Sequence, residues 1–175
     1  MTENSKSIAL RRAVSTDAQA IARIHFAAVH SGTAVDFYPR EILFNWSPEP
    51  NEIRIERYIR AIESGRELFI VAEIDNSPRG FGSIFPELSE LRSLYVDPAF
   101  ARGGIGSAIL CRLEELAVER GVRQLKLDSS LNAEPFYLCH GFESVERGLH
   151  KLSGGMVMGC VVMRKPLGPC GDEGD

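Results

Sequence analysis

Apolar residues recur along this chain with two periods, near 2 and near 3.6, and the switches between them predict its elements. Residues 8–13 alternate weakly and predict a first strand. Thr16 follows as a helix N-cap with Gln19 three places on, a capping box, and the helix reaches about Val29 with Ile21, Ile24 and Ala28 on one face. From 31 to 51 no period holds, and Pro39, Pro48 and Pro50 divide the stretch into short helical or irregular pieces. A second helix over about 52–63 turns Ile55, Ile59 and Ile62 inward, and Gly65 ends it. Residues 67–74 form a nearly unbroken apolar run, as a central strand requires. Asp75-Asn76-Ser77-Pro78 is turn chemistry, and 80–85 returns antiparallel.

A short turn over 86–90 leads into the strand 91–96, which Asp97-Pro98 stops. Beyond a glycine-rich turn, Ile105, Ile109, Leu113 and Leu116 stand at helical spacing opposite Arg112, Glu114, Glu115 and Glu119, with Gly121 just past the helix end. Residues 124–128 predict a strand. Asn132 is placed as N-cap of a short helix that tolerates Pro135 in its first turn and stops at Gly141. Two strands close the chain, 142 to about 150 and 156–163. With no repeat and no linker, this order predicts one domain over 1–167, followed by a disordered tail, GPCGDEGD, over 168–175.

Composition narrows the functional classes. At 175 residues, 44% apolar and 25% charged, the chain is an ordinary globular domain with a real core. A net charge of −4 argues against non-specific nucleic-acid binding. No stretch is apolar for long enough to span a bilayer, and the start MTENSKS is no signal peptide, so the expectation is a cytoplasmic protein. Cys111, Cys139, Cys160 and Cys170 are far apart with no C-x-x-C pair, which fits reduced thiols and predicts no metal site.

The chemistry concentrates between the strand at 91–96 and the helix after it. A glycine turn feeding a helix N-terminus offers unpartnered amides and positive dipole to an anion, although a tight strand-to-helix connection needs small residues too. Gly106 is followed by Ser107-Ala108 with no lysine, so this is not a P-loop. Ile109 stands where a dinucleotide fingerprint needs a small residue, and the chain is too short for a second mononucleotide half, whatever the spacing of Asp128.

Leu94-Tyr95-Val96-Asp97-Pro98, followed by Gly104-Ile105-Gly106, resembles the acyl-CoA-binding core of the GCN5-related N-acetyltransferase family. A second stretch, Asn132-Ala133-Glu134-Pro135-Phe136-Tyr137 running on to Gly141-Phe142, resembles that family's Asn and Phe-Tyr signature. One departure is visible: Ala101 stands where the family carries a leading Arg or Gln, and Arg102 comes one place later. The resemblance implies an α/β fold, a central mixed sheet of about seven strands flanked by about four helices. It also implies acetyl-CoA as co-substrate.

In that reading the loop Arg102, Gly103, Gly104, Ile105, Gly106 and Ser107 holds the pyrophosphate, mainly through amides. The exposed edge of Leu94, Tyr95 and Val96 receives the pantetheine like an added strand, and Asn132 binds the same arm. Tyr137 gives a proton to the departing thiolate, and Glu90 takes one from the amine, with a merely solvated glutamate as the competing reading and Glu87 a weaker competitor. The acceptor is a primary amine of a small molecule, amino acid derivative or peptide, attacking directly in a ternary complex. The segment 31–51 is expected to shape the acceptor pocket, its Phe37, Tyr38, Phe44 and Trp46 either lining that pocket or packing the segment down. His25 reads as a core or solvated histidine, and His30 as the same or as an acceptor-site residue. In the resembled family the C-terminal hairpin often supports homodimers. The alternative function is a non-catalytic acyl-CoA-binding or regulatory module, against which Tyr137 speaks; acetylation of transfer RNA fits poorly with the acidic charge.

Overall fold

The computed structural model describes residues 7–168, so Cys170 and the tail after Gly168 lie outside the described residues. Seven strands form one sheet in the order β1-β2-β3-β4-β5-β7-β6. They are β1 (Ala9–Arg12), β2 (Leu68–Ile74), β3 (Ser77–Phe85), β4 (Glu90–Val96), β5 (Gln124–Ser130), β6 (Glu143–Lys151) and β7 (Val157–Pro166). The helices are α1 (Ala18–Ser31), α2 (Arg40–Trp46), α3 (Glu52–Ser64), α4 (Ile105–Glu119) and α5 (Glu134–Cys139). The sheet is mixed as expected, and the helix beyond the expected four is α2, cut from the aperiodic stretch behind Pro39.

The unbroken apolar run of β2 follows from burial on both faces. Leu68, Ile70 and Ala72 meet Ile105, Ile109 and Leu113 of α4, while Phe69 and Val71 meet Ile21 and Ile24 of α1 and Phe81 of β3. From α3 it is Tyr58, Ala61 and Ile62 that pack here, with Ile55 and Ile59 only half-buried. A third cluster, Val29, Ala34, Tyr38, Leu43, Leu152 and Met158, ties the segment after α1 to the β6–β7 turn. There the Tyr38 hydroxyl donates to Gly159 O and accepts from Leu131 N, each at 2.7 Å.

Close approach of α4 to the sheet depends on two glycines of β3. A Cβ at Gly82 would stand 2.8 Å from both Ile109 and Leu113 and 2.9 Å from the Ser93 carbonyl, and one at Gly80 would be 2.8 Å from Ile105. Gly82→Ala is therefore expected to destabilise the protein by about 1–3 kcal/mol, as overpacking does; a denaturant melt with an unchanged midpoint would contradict this.

Two expected caps are corrected by tertiary structure. The chain makes a 3-10 turn at Ser15–Asp17 before α1, which takes Thr16 inside the turn, and no side chain caps the helix. The structural role falls to Asp17, whose carboxylate accepts from Val14 N at 2.8 Å and from both Arg11 terminal nitrogens at 2.7 and 2.8 Å. Arg11 also reaches Glu73 at 2.7 Å. Likewise α5 is capped by Ala133, not by Asn132, whose amide instead donates to Thr33 Oγ1 at 3.1 Å.

The Arg11 hydrogen bonds hold the Asp17 pKa below its ordinary value against the opposing effect of burial. A depressed folded-state pKa contributes stability that is present above the unfolded value and is lost as pH falls through the folded value. Asp17→Asn should therefore cost about 2 kcal/mol near neutrality. The gap between the two proteins should close in strong acid, and denaturant melts at a series of pH values check it.

Candidate functional site

Among the described residues the only parallel neighbours in the sheet, β4 and β5, are joined at Glu90 and Lys126 and part beyond that point. Leu91 to Val96 thus keeps one backbone edge unpaired, and a cleft of about 700 Å³ opens between the two strands. Glu90, Ser93, Leu94 and Tyr95 line it from β4, Lys126, Asp128 and Ser130 from β5, and Tyr137 from α5. Trp46, His150, Met158 and Cys160 also line it.

The glycine loop lies at one end of this split. Asp97 stops β4 by accepting from Ala99 N at 3.1 Å, and a 3-10 turn at Pro98–Phe100 follows. Arg102 and Gly104 both take left-handed backbone angles, with φ of 63° and 81°, which turns the chain into the first turn of α4. Arg102 is exposed and makes no ion pair among the described residues. Ser107, which the sequence placed in this loop, hydrogen-bonds His140 Nε2 at 2.9 Å, while His140 Nδ1 lies 2.8 Å from Phe136 O. Nothing in the sequence signals His140, since 33 residues separate the pair.

The edge residues divide by face. Leu94 and Val96 pack toward α4, whereas Tyr95 turns away from it. Its ring lies 4.1 Å from that of His25, and its hydroxyl accepts from Trp46 Nε1 at 3.1 Å. Its backbone faces β3 as well: Asp97 N donates to Arg79 O at 2.8 Å, and two residues back in the same register Tyr95 stands opposite Phe81. The free edge therefore belongs to Leu94 and Val96 and not, as the sequence suggested, also to Tyr95. His25 is the expected core histidine: Arg54 donates to its Nδ1 at 2.6 Å, and burial first, then Arg54, holds its pKa well below the ordinary range. His30 also stays out of the cleft, bound to Ser47 O at 2.7 Å and stacked on Phe26. Among the four aromatics of 31–51, Trp46 lines the cleft, Tyr38 is buried, Phe44 packs on His30, and Phe37 is exposed.

Two groups fit a pantetheine arm. One is the free β4 edge. The other is Asn132, which is not among the residues lining the cleft but whose Oδ1 is buried without a hydrogen-bond partner, a costly state for an acceptor that an incoming N–H would relieve. Tyr137 is 6% exposed, packs edge-on against Phe136 and Phe142, and its hydroxyl takes no partner among the described residues. Burial drives its pKa well above the ordinary phenol value. Glu90 accepts from Arg92 Nε at 3.1 Å, whereas Glu87 pairs with Arg66 at 3.0 Å away from the cleft.

Other cleft groups gave no sequence signal. His150 Nδ1 lies 2.9 Å from Asp128 Oδ2, a pair created by the β5–β7–β6 order. Ser93 Oγ is 2.5 Å from Ser83 Oγ, which in turn donates to Glu67 at 2.6 Å. Among the described residues no group of three or more His, Cys, Asp or Glu is placed to hold a metal, and no helix is long and apolar enough to cross a membrane.

Comparison with known proteins agrees with this geometry. A family model for the acetyltransferase (GNAT) domain matches residues 48–156. A curated relative, the uncharacterized N-acetyltransferase YafP of Escherichia coli (strain K12), is 35% identical over 77 residues, which are 44% of this chain and 47% of YafP. The match thus spans about half the length of that relative. The crystal structure of a GCN5-related N-acetyltransferase from Rhodopseudomonas palustris superimposes with a TM-score of 0.80 at 28% identity, covering 92% of this chain and 96% of the other. The PaiA N-acetyltransferase from Thermoplasma acidophilum, solved in complex with coenzyme A, gives a TM-score of 0.73 at 21% identity over 91% and 99% of the two chains and shares the fold. With its split sheet, glycine loop and family match together, this chain belongs to the GCN5-related N-acetyltransferase (GNAT) family.

Proposed function

We propose that this protein is an acetyl-CoA-dependent N-acetyltransferase, built as one domain over 1–167, that acts on a primary amine of a small molecule, amino acid derivative or peptide. The observation that carries the reading is Tyr137: a buried phenol with an unpartnered hydroxyl, aimed into the cleft beside a free strand edge. A module that only bound acyl-CoA has no use for such a group. Solved relatives of the same fold include complexes with coenzyme A and with acetyl-CoA, which supports this donor.

Acetyl-CoA supplies the acyl carbon as a thioester, and the chain's residues do the rest. Amides of Arg102 through Ser107 at the α4 N-terminus hold the pyrophosphate, with the Arg102 guanidinium as an added counter-charge in place of the missing side chain at Ala101. Leu94 and Val96 offer their free backbone edge to the pantetheine, and Asn132 Oδ1 takes one of its N–H groups. Tyr137 gives its proton to sulfur as the C–S bond breaks. Its raised pKa suits the task, because the dry pocket that disfavours phenolate also makes a thiolate more basic.

Glu90 belongs to the same site. Together with Asp128 it puts carboxylates on the acceptor side of the cleft, which attracts an ammonium. Its carboxylate, expected from the sequence to take the amine proton, already accepts a hydrogen bond from Arg92. Trp46 supplies an apolar wall for the rest of the acceptor.

Thiol release from acetyl-CoA tests the proposal. The panel is 2-phenylethylamine, spermidine, glucosamine, leucinamide and an alanyl peptide, each against an amine-free control. Amine-dependent release with the acetylated amine as product supports the enzyme; tight acetyl-CoA binding with no release from any amine favours the binding module.

A further inference from the structure

Three polar side chains cross the sheet in a line that nothing in the family motifs marks. Ser83 lies in the middle of β3, with Phe69 of β2 opposite it on one side and Ser93 of β4 on the other. Glu67 stands just ahead of β2, so its side chain falls on the same face as Phe69 and Ser83. The resulting chain runs from Glu67 to Ser83 Oγ at 2.6 Å and on to Ser93 Oγ at 2.5 Å. Ser83 is wholly buried, whereas Ser93 is half-buried and lines the cleft beside Leu94.

The direction of these bonds is forced. A serine hydroxyl has one proton. Ser83 commits its proton to Glu67, so it accepts at its other contact and Ser93 must be the donor there. Ser93 then turns lone pairs, not a proton, toward the cleft. That is the polarity needed to receive an N–H. A structural role alone would not require the string to end at the cleft wall next to the free edge of β4.

We propose that Ser93, Ser83 and Glu67 form a hydroxyl relay that carries the acceptor's ammonium proton away from the cleft. This inference rests on the N-acetyltransferase reading above. One proton leaves nitrogen for Ser93 Oγ as the Ser93 proton moves to Ser83 and the Ser83 proton to the Glu67 carboxylate. Nitrogen keeps the electron pair, attacks the acyl carbon, and the C–N bond forms as the C–S bond breaks. Sulfur takes the Tyr137 proton, and the second proton shed by nitrogen restores the phenol. Half-buried Glu67 returns its proton to solvent, so one amide, one thiol and one proton are the net products.

The surroundings of Glu67 favour it as the terminal base. Burial raises its pKa above the ordinary glutamate range, while the Ser83 hydrogen bond and Arg92 of β4 act against this and Glu90 of β4 adds to it. Tyr58 of α3 is the further titratable group within its field, and burial keeps that phenol protonated. A carboxylate with a raised pKa binds a proton more readily than an ordinary glutamate does.

Glu67→Gln and Ser93→Ala in the full chain test the relay, with the best amine of the panel. Gln keeps an oxygen for the Ser83 proton, so both variants should melt within a few degrees of the parent. Each is expected to lower kcat about 100-fold with KM for acetyl-CoA unchanged. The double variant should fall no further than either single one, because both break the same path. Glu67→Gln should also abolish the acidic limb of the kcat/KM profile that tracks the Glu67 titration. Additive losses, or an unchanged acidic limb, overturn the relay while leaving the enzyme reading intact. If no panel amine reacts, the enzyme reading fails first, and ¹³C NMR of glutamate-labelled protein still decides the rest. The carboxyl signal missing from Glu67→Gln should titrate above the ordinary range and shift its midpoint in Ser93→Ala; no shift overturns the relay.

Discussion

Tyr137→Phe is expected to lower kcat by about 100- to 1,000-fold, the scale of a lost general acid. The substitution removes one oxygen and little else. Its ring packs at 5.2 Å from Phe136 and 5.4 Å from Phe142, contacts that phenylalanine reproduces, and the hydroxyl has no partner among the described residues to orphan. Melting temperature and acetyl-CoA affinity should therefore stay near those of the parent, which separates chemistry from folding and binding. The pH profile carries a further sign. With a raised pKa the phenol remains protonated well past neutrality, so loss of this acid causes no fall in kcat until pH exceeds the ordinary phenol value. Equal turnover by the two proteins, or an alkaline limb near neutrality that vanishes in Tyr137→Phe, would remove Tyr137 from the role.

Gly106→Asp is the second large effect, and it should act on binding alone. A Cβ at Gly106 would meet Phe136 at 3.4 Å and Val96 at 3.7 Å, ordinary contact distances that place it between the β4 edge and α5. The new carboxylate would sit in the first turn of α4, where the dipole welcomes negative charge, so stability should hold or rise slightly. The same position is where the pyrophosphate is proposed to lie. Opposing like charges there should cost about 3 kcal/mol, or about 100-fold in the acetyl-CoA Kd. A calorimetric titration measures it; unchanged affinity would mean that the donor phosphates lie elsewhere.

Much of this was readable from local pattern, and the exceptions share one cause. The β4 to α4 unit was legible because Asp97, Gly104 and the stripe from Ile105 to Leu116 act within a few residues of one another. Gly65 and Gly121 were legible for the same reason, each taking a positive φ just past a helix. Thr16 and Asn132 failed as caps because partners remote in sequence decided the outcome. Asp17 is held by Arg11 in the β1–β2 network, and Asn132 reaches back to Thr33. Within the site, the motif carried Tyr137 and the loop, while His140, the Asp128–His150 pair and the Ser93–Ser83–Glu67 string exist only through strand order and register. A serine in a strand has no periodicity to betray its neighbour on the next strand. The side-chain direction of Tyr95 was hidden in a different way. A bulge between Ser83 and Ile84 shifts the β3–β4 register and decides which β4 side chains face the cleft.

Thermal unfolding with saturating acetyl-CoA, CoA, NAD and ATP in parallel tests the central claim that the split between β4 and β5 is a donor site. Ligand at about 100 times Kd stabilises by about 2.7 kcal/mol, which lifts the melting temperature of a chain of this size by several degrees. Acetyl-CoA and CoA should each produce that rise, while NAD and ATP should leave the transition near its unliganded position. Absence of a shift with either CoA species would contradict the account at its base.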